Sequence, residues 1–405
     1  MRQKLVVIGN GMAGMRTVQE LLAIASGLYD ITVFGAEPHP HYNRILLSPV
    51  LAGERSLQDI VLSDWNWYRE QGITLHAGRT VTQVDRARRI VRADDGTEAA
   101  YDRLLLATGS QPVLLPVPGA GLRGVLAHRD IADTEAMIEA ARTHRHAVVI
   151  GGGVLGLEAA SGLARRGMAV TVVHRNDWLM ERQLDAEAAT LLRETLETQQ
   201  GLNFRLGAQT EALLDDGQGW VRAVRLTDGS ELPADLVVMA IGIRPHIALA
   251  QQMRLHCERG IVVSDTLQTV TDGRIYAVGE CAQHRGVAYG LVAPLFEQGR
   301  VAANHLAQMG IGRYEGSTVS AKLKVTGVEL LSAGDFMGGE GTEQLLLRDP
   351  DSGVYRKLVL KDERLIGACL YGDAEGGGWY LDLLREGRSV AELREQLIFG
   401  EPVHG

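Results

Sequence analysis

Cysteine is scarce in this chain. Its 405 residues hold three, Cys257, Cys281 and Cys369. No pair has the C-x-x-C or C-x4-C spacing of a redox-active disulfide, and no set of four exists to carry an iron–sulfur cluster. Metal-ligand spacing is missing too: Pro38-His39-Pro40-His41 brings two histidines together without further ligands nearby, and reads as a polar loop. Positive charge is in deficit, with 41 Lys and Arg against 50 Asp and Glu and a net charge of −9. That balance argues against a nucleic-acid or membrane surface as partner. No apolar run approaches the length of a membrane-spanning helix. A strand-like run begins within four residues of the N-terminus, so no signal peptide is expected and a reducing cytoplasm is the expected compartment.

Glycine, by contrast, is abundant, at 48 residues, and 45% of the chain is hydrophobic. A chain of this length exceeds one ordinary core, so two or three domains are expected. Two glycine clusters stand out. Gly9-Asn10-Gly11-Met12-Ala13-Gly14 follows Leu5-Val6-Val7-Ile8, and Gly151-Gly152-Gly153-Val154-Leu155-Gly156 follows Ala147-Val148-Val149-Ile150. Each opens a helix-like segment. Strand, G-x-G-x-x-G turn and helix together bind a dinucleotide: the first glycine makes the turn, the second admits the pyrophosphate, and the third lets helix and strand pack closely. Two such units predict two dinucleotides, most simply FAD together with NADH or NADPH.

Alternation of strands (4–8, 31–35, 73–76, 103–107, 147–151, 169–173, 203–206, 235–240) and helices (12–25, 57–71, 131–143, 154–166, 185–199) predicts parallel sheets with helical cover. Crossovers are expected at Gln111-Pro112 to Pro118-Gly119 and at Gly242-Ile243-Arg244-Pro245. From Val319 onward short strand-like runs (Glu343–Leu347, Lys357–Leu360, Leu365–Leu370) precede helices at Trp379–Arg385 and Val390–Leu397. The predicted fold class is α/β: two doubly wound nucleotide-binding domains plus a C-terminal α+β domain. The expected boundaries are 1–120 with 246–316 for a discontinuous FAD domain, 121–245 for an NAD(P)H domain, and 317–405 for an α+β interface domain.

Glu37 lies 23 residues beyond Gly14, near the spacing of a ribose-binding carboxylate; the competing reading is a solvated loop acid. After the second fingerprint the corresponding strand ends in His174-Arg175 with no acid. A cation there favours the 2′-phosphate of NADPH, and the balance tilts that way with NADH left open.

Further ordered motifs follow. They are Ala107-Thr108-Gly109-Ser110, Ala240-Ile241-Gly242-Ile243-Arg244-Pro245, Ile275-Tyr276-Ala277-Val278-Gly279-Glu280-Cys281-Ala282, His41 to Pro49 around Arg44, and Ser320 to Val328. Through them the chain resembles, over essentially its whole length, the FAD- and NAD(P)H-binding module of assimilatory nitrite and nitrate reductases. More broadly it is similar to the flavin reductases that serve rubredoxin and ferredoxin, within the pyridine nucleotide-disulfide oxidoreductase-like superfamily. The Ser320–Val328 stretch points to the nitrite/nitrate branch.

The resemblance implies roles. Ala107, Thr108 and Gly109 return the chain from the FAD domain, and Gly242 leaves the NAD domain. Gly279 admits the pyrophosphate and Glu280 holds the ribityl chain. Arg44 contacts FAD. A helix from about Pro294, including Leu295, to Met309 points its N-terminus at the flavin. Glu158 lies near the nicotinamide and is the catalytic candidate; its competing reading is a helix N-terminal acid favoured by the dipole.

Where disulfide-reductase relatives carry a catalytic cysteine, this chain reads Leu46-Leu47-Ser48-Pro49-Val50. Electrons are therefore expected to pass from NAD(P)H through FAD to another redox protein, or to the rest of a larger system. The first expectation is a nitrate or nitrite reductase catalytic subunit. The alternatives are a rubredoxin or ferredoxin acceptor, and an FAD-binding redox sensor with little turnover. A homodimer through the third domain is a further expectation from the family.

Overall fold

A computed structural model describes residues 2–317, 320–325 and 327–401. The chain divides into two compact units. One comprises Met1–Leu47, Arg55–Gln111 and Ile243–Ser317; the other comprises Ser48–Glu54, Pro112–Gly242 and Thr318–Gly405.

The first unit is built on a five-stranded sheet in the order Ile275–Ala277, Arg103–Leu106, Gln3–Ile8, Tyr29–Gly35, Thr74–Ala77. All four pairings are parallel. Its strands read as near-continuous apolar runs because both faces are covered. Leu5, Val7, Val33, Leu104 and Leu105 are fully buried, packed with Met15 and Val18 of the helix Met12–Ala25. Helix Val292–Leu306 packs closely on that helix: a side-chain carbon at Gly299 would meet Thr17 at 3.2 Å.

The second unit repeats the plan. Its parallel sheet runs Val125–Ala127, Leu236–Met239, His146–Ile150, Ala169–Val173, Asn203–Arg205. In both sheets the strand before the glycine turn is central, and the strand after the following helix lies beside it. The duplication extends to a three-stranded antiparallel meander, placed between Thr74–Ala77 and Arg103–Leu106 in the first unit and between Asn203–Arg205 and Leu236–Met239 in the second. This is Val81–Asp85, Ile90–Ala93 and Glu98–Ala100 in the first unit, and Thr210–Asp215, Val221–Leu226 and Glu231–Pro233 in the second.

The second unit also contains an antiparallel five-stranded sheet, ordered Ser320–Val325, Val328–Gly334, Arg364–Tyr371, Val354–Lys361, Glu343–Asp349. Helix Gly377–Glu386 closes one face through Tyr380 and Leu383, against Leu331, Leu358 and Leu370. Of the residues named in the sequence reading of this region, Val319 and Thr326 lie outside the described residues.

Three expectations differ from what is seen. The helix expected at 57–71 is broken into a turn at Gln58–Ile60, a strand at Val61–Ser63 and a helix at Trp65–Glu70. The strand pairs with His41–Tyr42, and Asp64 caps the helix by accepting from the Trp67 N–H at 2.8 Å. That pairing also draws His41 out of the polar loop expected for it: the residue is 3% exposed. The helix expected at Val390–Leu397 is two single turns, Ala391–Leu393 and Leu397–Phe399.

Candidate functional site: two glycine cradles at the sheet edges

Both parallel sheets end in register, and the backbone carries each ladder one residue past the strands. The Gly9 N–H donates to the Phe34 carbonyl at 2.8 Å and the Ala107 N–H to Ile8; the Gly151 N–H donates to Val173 at 2.8 Å and the Ala240 N–H to Ile150. Each first glycine has a positive φ, +118° at Gly9 and +122° at Gly151. A Cβ at either would fall on a neighbouring carbonyl oxygen, Ala107 or Ala240. Each third glycine is closed in the same way, Gly14 by the Gly9 carbonyl and Gly156 by the Gly151 carbonyl.

The middle glycines differ. Gly11 and Gly153 have ordinary extended backbones, with φ of −87° and −83°, and a Cβ at either would meet no atom within 4 Å. The protein's own packing therefore does not require glycine there, and the space is left for something else. Both cap long helices without a side-chain hydrogen bond, as does Leu291 at the start of Val292–Leu306. By contrast Asp64, Asp130 and Asp185 cap their helices with carboxylates. Uncapped amides with the positive end of a helix dipole behind them suit a pyrophosphate, so the donor set at Met12, Ala13, Val154 and Leu155 fits the implied dinucleotides.

Around the first cradle, the expected residues gather at one sheet edge. Gly279 has φ +86° and faces helix Met12–Ala25, where a Cβ would lie 2.8 Å from Ala13 Cβ; its N–H donates to the buried Gln298 at 2.8 Å. Glu280 accepts from the Ser110 hydroxyl at 2.6 Å, which ties the Ala107–Ser110 turn to the Gly279 turn. Thr108 Oγ1 donates to the His246 carbonyl at 2.7 Å. Glu37 accepts from the Tyr42 hydroxyl at 2.7 Å and pairs with Arg44, so these residues act as one oriented group. Pro294 and Leu295 are buried in the first turn of helix Val292–Leu306.

Sequence reasoning missed the braces. Asn10, inside the fingerprint, accepts from the Tyr68 hydroxyl at 2.6 Å and donates to the His39 carbonyl at 3.2 Å. Burial pushes the Tyr68 phenol up to about 12 and the His41 imidazole down to about 4, so both stay neutral.

In the second unit the His174 ring faces inward. Its Nδ1 accepts from the Gly152 N–H at 3.0 Å and its Nε2 lies 3.1 Å from Glu181, so it locks the glycine turn. Arg175 is exposed. The Val113 N–H donates to the Gly242 carbonyl at 3.0 Å. Glu158 accepts from the Ser48 hydroxyl at 2.6 Å, and burial raises its pKa. All three cysteines are free. Burial raises the Cys281 thiol and pushes Cys369 up to about 12, and desolvation also raises the half-buried Cys257. Among the described residues no group of three or more His, Cys, Asp or Glu could hold a metal ion, and no helix is long and apolar enough to cross a membrane.

Two turn-and-helix cradles on duplicated parallel sheets, with no reactive thiol, define a flavin- and pyridine nucleotide-dependent oxidoreductase that carries no disulfide of its own. The family model described as pyridine nucleotide-disulphide oxidoreductase matches residues 3–309, and the rubredoxin NAD+ reductase C-terminal domain matches residues 320–388. The chain belongs to the pyridine nucleotide-disulphide oxidoreductase family.

It is 48% identical over 391 residues to a nitrite reductase [NAD(P)H] of Bacillus subtilis, covering 96% of this chain and 48% of that one. It is 45% identical over 397 residues to the assimilatory nitrate reductase electron transfer subunit of the same organism, covering 98% and 51%. The chain thus spans about half the length of these curated relatives. Among solved structures, a ferredoxin reductase from Rhodopseudomonas palustris superposes with a TM-score of 0.87 at 25% identity, over 96% of both chains.

Proposed function

We propose that the protein takes electrons from NAD(P)H and passes them, through FAD, to a nitrate or nitrite reductase partner in nitrogen assimilation, in the cytoplasm. The observation that carries this reading is the pair of cradles whose middle glycines serve no packing need of the protein. We assign 1–120 and 246–316 to FAD, 121–245 to NAD(P)H and 317–405 to the acceptor-facing domain.

Bound FAD supplies hydride acceptance from the nicotinamide and release of single electrons to an acceptor. The chain's own residues bind and orient. Gly9, Gly11 and Gly14 with the amides of Met12 and Ala13 hold one pyrophosphate; Gly151, Gly153 and Gly156 with Val154 and Leu155 hold the other. Glu37, set by Tyr42 and Arg44, takes the adenosine ribose. Glu280, set by Ser110, accepts from ribityl hydroxyls beside Gly279, Thr108 and Gly109. The start of helix Val292–Leu306 at Pro294 and Leu295 favours negative charge on the reduced ring. Glu158, held by Ser48, positions the nicotinamide end. Arg175 offers a cation for a 2′-phosphate, whereas His174 supports the turn through Gly152. All three cysteines are free, so the chain offers no disulfide that could be reduced to two thiols, and the electrons would pass to an acceptor outside it.

A second reading, a ferredoxin or rubredoxin reductase, draws on the end-to-end match with the Rhodopseudomonas ferredoxin reductase. Anaerobic stopped-flow separates them. NADH or NADPH should bleach the flavin within turnover times, and reoxidation should be fast with the iron–sulfur and haem subunit of a nitrite or nitrate reductase. Fast reoxidation by ferredoxin or rubredoxin alone selects the second reading. Bleaching too slow for turnover selects a sensor, and a colourless protein with no affinity for FAD refutes all three.

A further inference from the structure

His128 follows the edge strand Val125–Ala127, whose Ala127 is in register with Met239. It therefore emerges at the same sheet edge as the Gly151 turn. The imidazole is 6% exposed, and neither ring nitrogen has a hydrogen-bond partner of good geometry. Among the described residues no other histidine has both nitrogens buried and unpartnered. Leaving such groups unmade is unfavourable, and a native structure that keeps them invites an explanation.

The order of strands supplies one. Along this edge, Ala169–Val173 and Asn203–Arg205 lie to one side of the glycine turn, and Leu236–Met239 and then Val125–Ala127 lie to the other. In a dinucleotide fold the pyrophosphate sits at the helix start, and the adenosine ribose is read at the end of the strand after the helix, here Ala169–Val173. The other half of the coenzyme then extends across Ala240–Gly242 toward His128. The Leu155 backbone, in the first turn of the fingerprint helix, approaches the His128 ring as a hydrogen-bond partner of poor geometry, and the Leu155 side chain is 42% exposed.

Burial pushes the His128 imidazole down to about 4, the Leu155 backbone and Asp130 offsetting only part of the effect. A neutral ring offers one donor and one acceptor. That pair matches a carboxamide or ribose hydroxyls and does not match a phosphate, which calls for a cation.

We propose that His128 hydrogen-bonds the nicotinamide nucleoside half of the coenzyme, and that its ring nitrogens, which have no well-formed bond within the protein, gain one when NAD(P)H is in place. The proposal rests on the reading that this unit takes NAD(P)H. It makes His128 a residue kept for binding at the expense of the fold.

The test uses FAD-loaded protein and calorimetric titration with NAD+ and with ADP, which lacks the whole nicotinamide nucleoside, and with their 2′-phosphorylated counterparts. His128→Leu should weaken the full coenzyme about tenfold, the effect of one or two lost hydrogen bonds. It should leave ADP binding unchanged, and the melting temperature at pH 8 should stay level or rise. His128→Gln, which keeps a donor and an acceptor, should recover part of the affinity. Equal weakening of both ligands, or an unchanged affinity ratio with a lowered melting temperature, overturns the proposal in favour of a structural histidine. Wild-type protein that binds neither ligand refutes the coenzyme reading itself, and His128 with it.

Discussion

Valine at position 11 should empty the first cradle of FAD while leaving the fold standing. Gly11 has φ −87° and ψ −173°, a conformation β-branched residues adopt readily, and a Cβ there meets nothing within 4 Å. The cost to the apoprotein is that of a poorer helix cap, about 1 kcal/mol or less, or roughly 1 °C in melting temperature for a chain of this size. Gly14→Val is the contrast, because its Cβ would lie 2.5 Å from the Gly9 carbonyl oxygen and 3.0 Å from Ala107 Cβ. Overpacking of that kind costs about 1–3 kcal/mol before any ligand is considered.

With FAD at about a thousand times its Kd, the holoprotein gains about 4 kcal/mol over the apoprotein, and Gly11→Val should forfeit nearly all of it. The assay is paired: flavin absorbance after gel filtration, and thermal melts with and without added FAD. A Gly11→Val protein that elutes yellow with stoichiometric flavin refutes the assignment. An apoprotein destabilised as far as Gly14→Val would show that the middle glycine serves the fold after all.

His41 and His128 are both held down to about 4 against an ordinary value near 6.5, so each contributes stability above pH 6.5 that is lost as pH falls toward 4. By pH 5 the loss should be about 2 kcal/mol for each; melts from pH 7.5 to pH 5 should show a shallower slope for His128→Leu, and an unchanged slope would count against a buried neutral ring. In the second unit, Lys357 Nζ lies 3.3 Å from Asp185 Oδ2, both groups being at most 10% exposed, and the Tyr355 hydroxyl donates to the same oxygen at 2.7 Å. Lys357→Met strands the carboxylate and should cost about 3–5 kcal/mol. Adding Asp185→Asn should restore much of that in the same melts, and a loss under about 1 kcal/mol for the single variant would mean water reaches the pair.

How far the site could be read beforehand differs by residue. Gly9, Gly14, Gly151 and Gly156 were legible because backbone sterics alone demand glycine where φ is positive or a carbonyl closes the space. The duplicated strand–turn–helix units were legible because apolar runs and glycine spacing are local signals. His174 was placed correctly at the end of its strand, but its ring turns inward to the Gly152 N–H, and nothing local specifies that rotamer. The break in the expected 57–71 helix depends on Val61–Ser63 finding His41–Tyr42, a tertiary pairing that overrides helical pattern.

Local sequence thus determined that two glycine turn-and-helix cradles exist, where each begins, and that no cysteine pair stands beside them. Only the folded chain decided which side chains brace those cradles. Ser48 meets Glu158 across 110 residues, Ser110 meets Glu280 across 170, and Tyr355 meets Asp185 across 170. It also decided that His128 would be buried without a partner. The reason is the reach of each interaction: φ sterics and hydrophobic period act within a few residues, whereas burial and hydrogen-bond partners depend on strands brought together by the whole sheet.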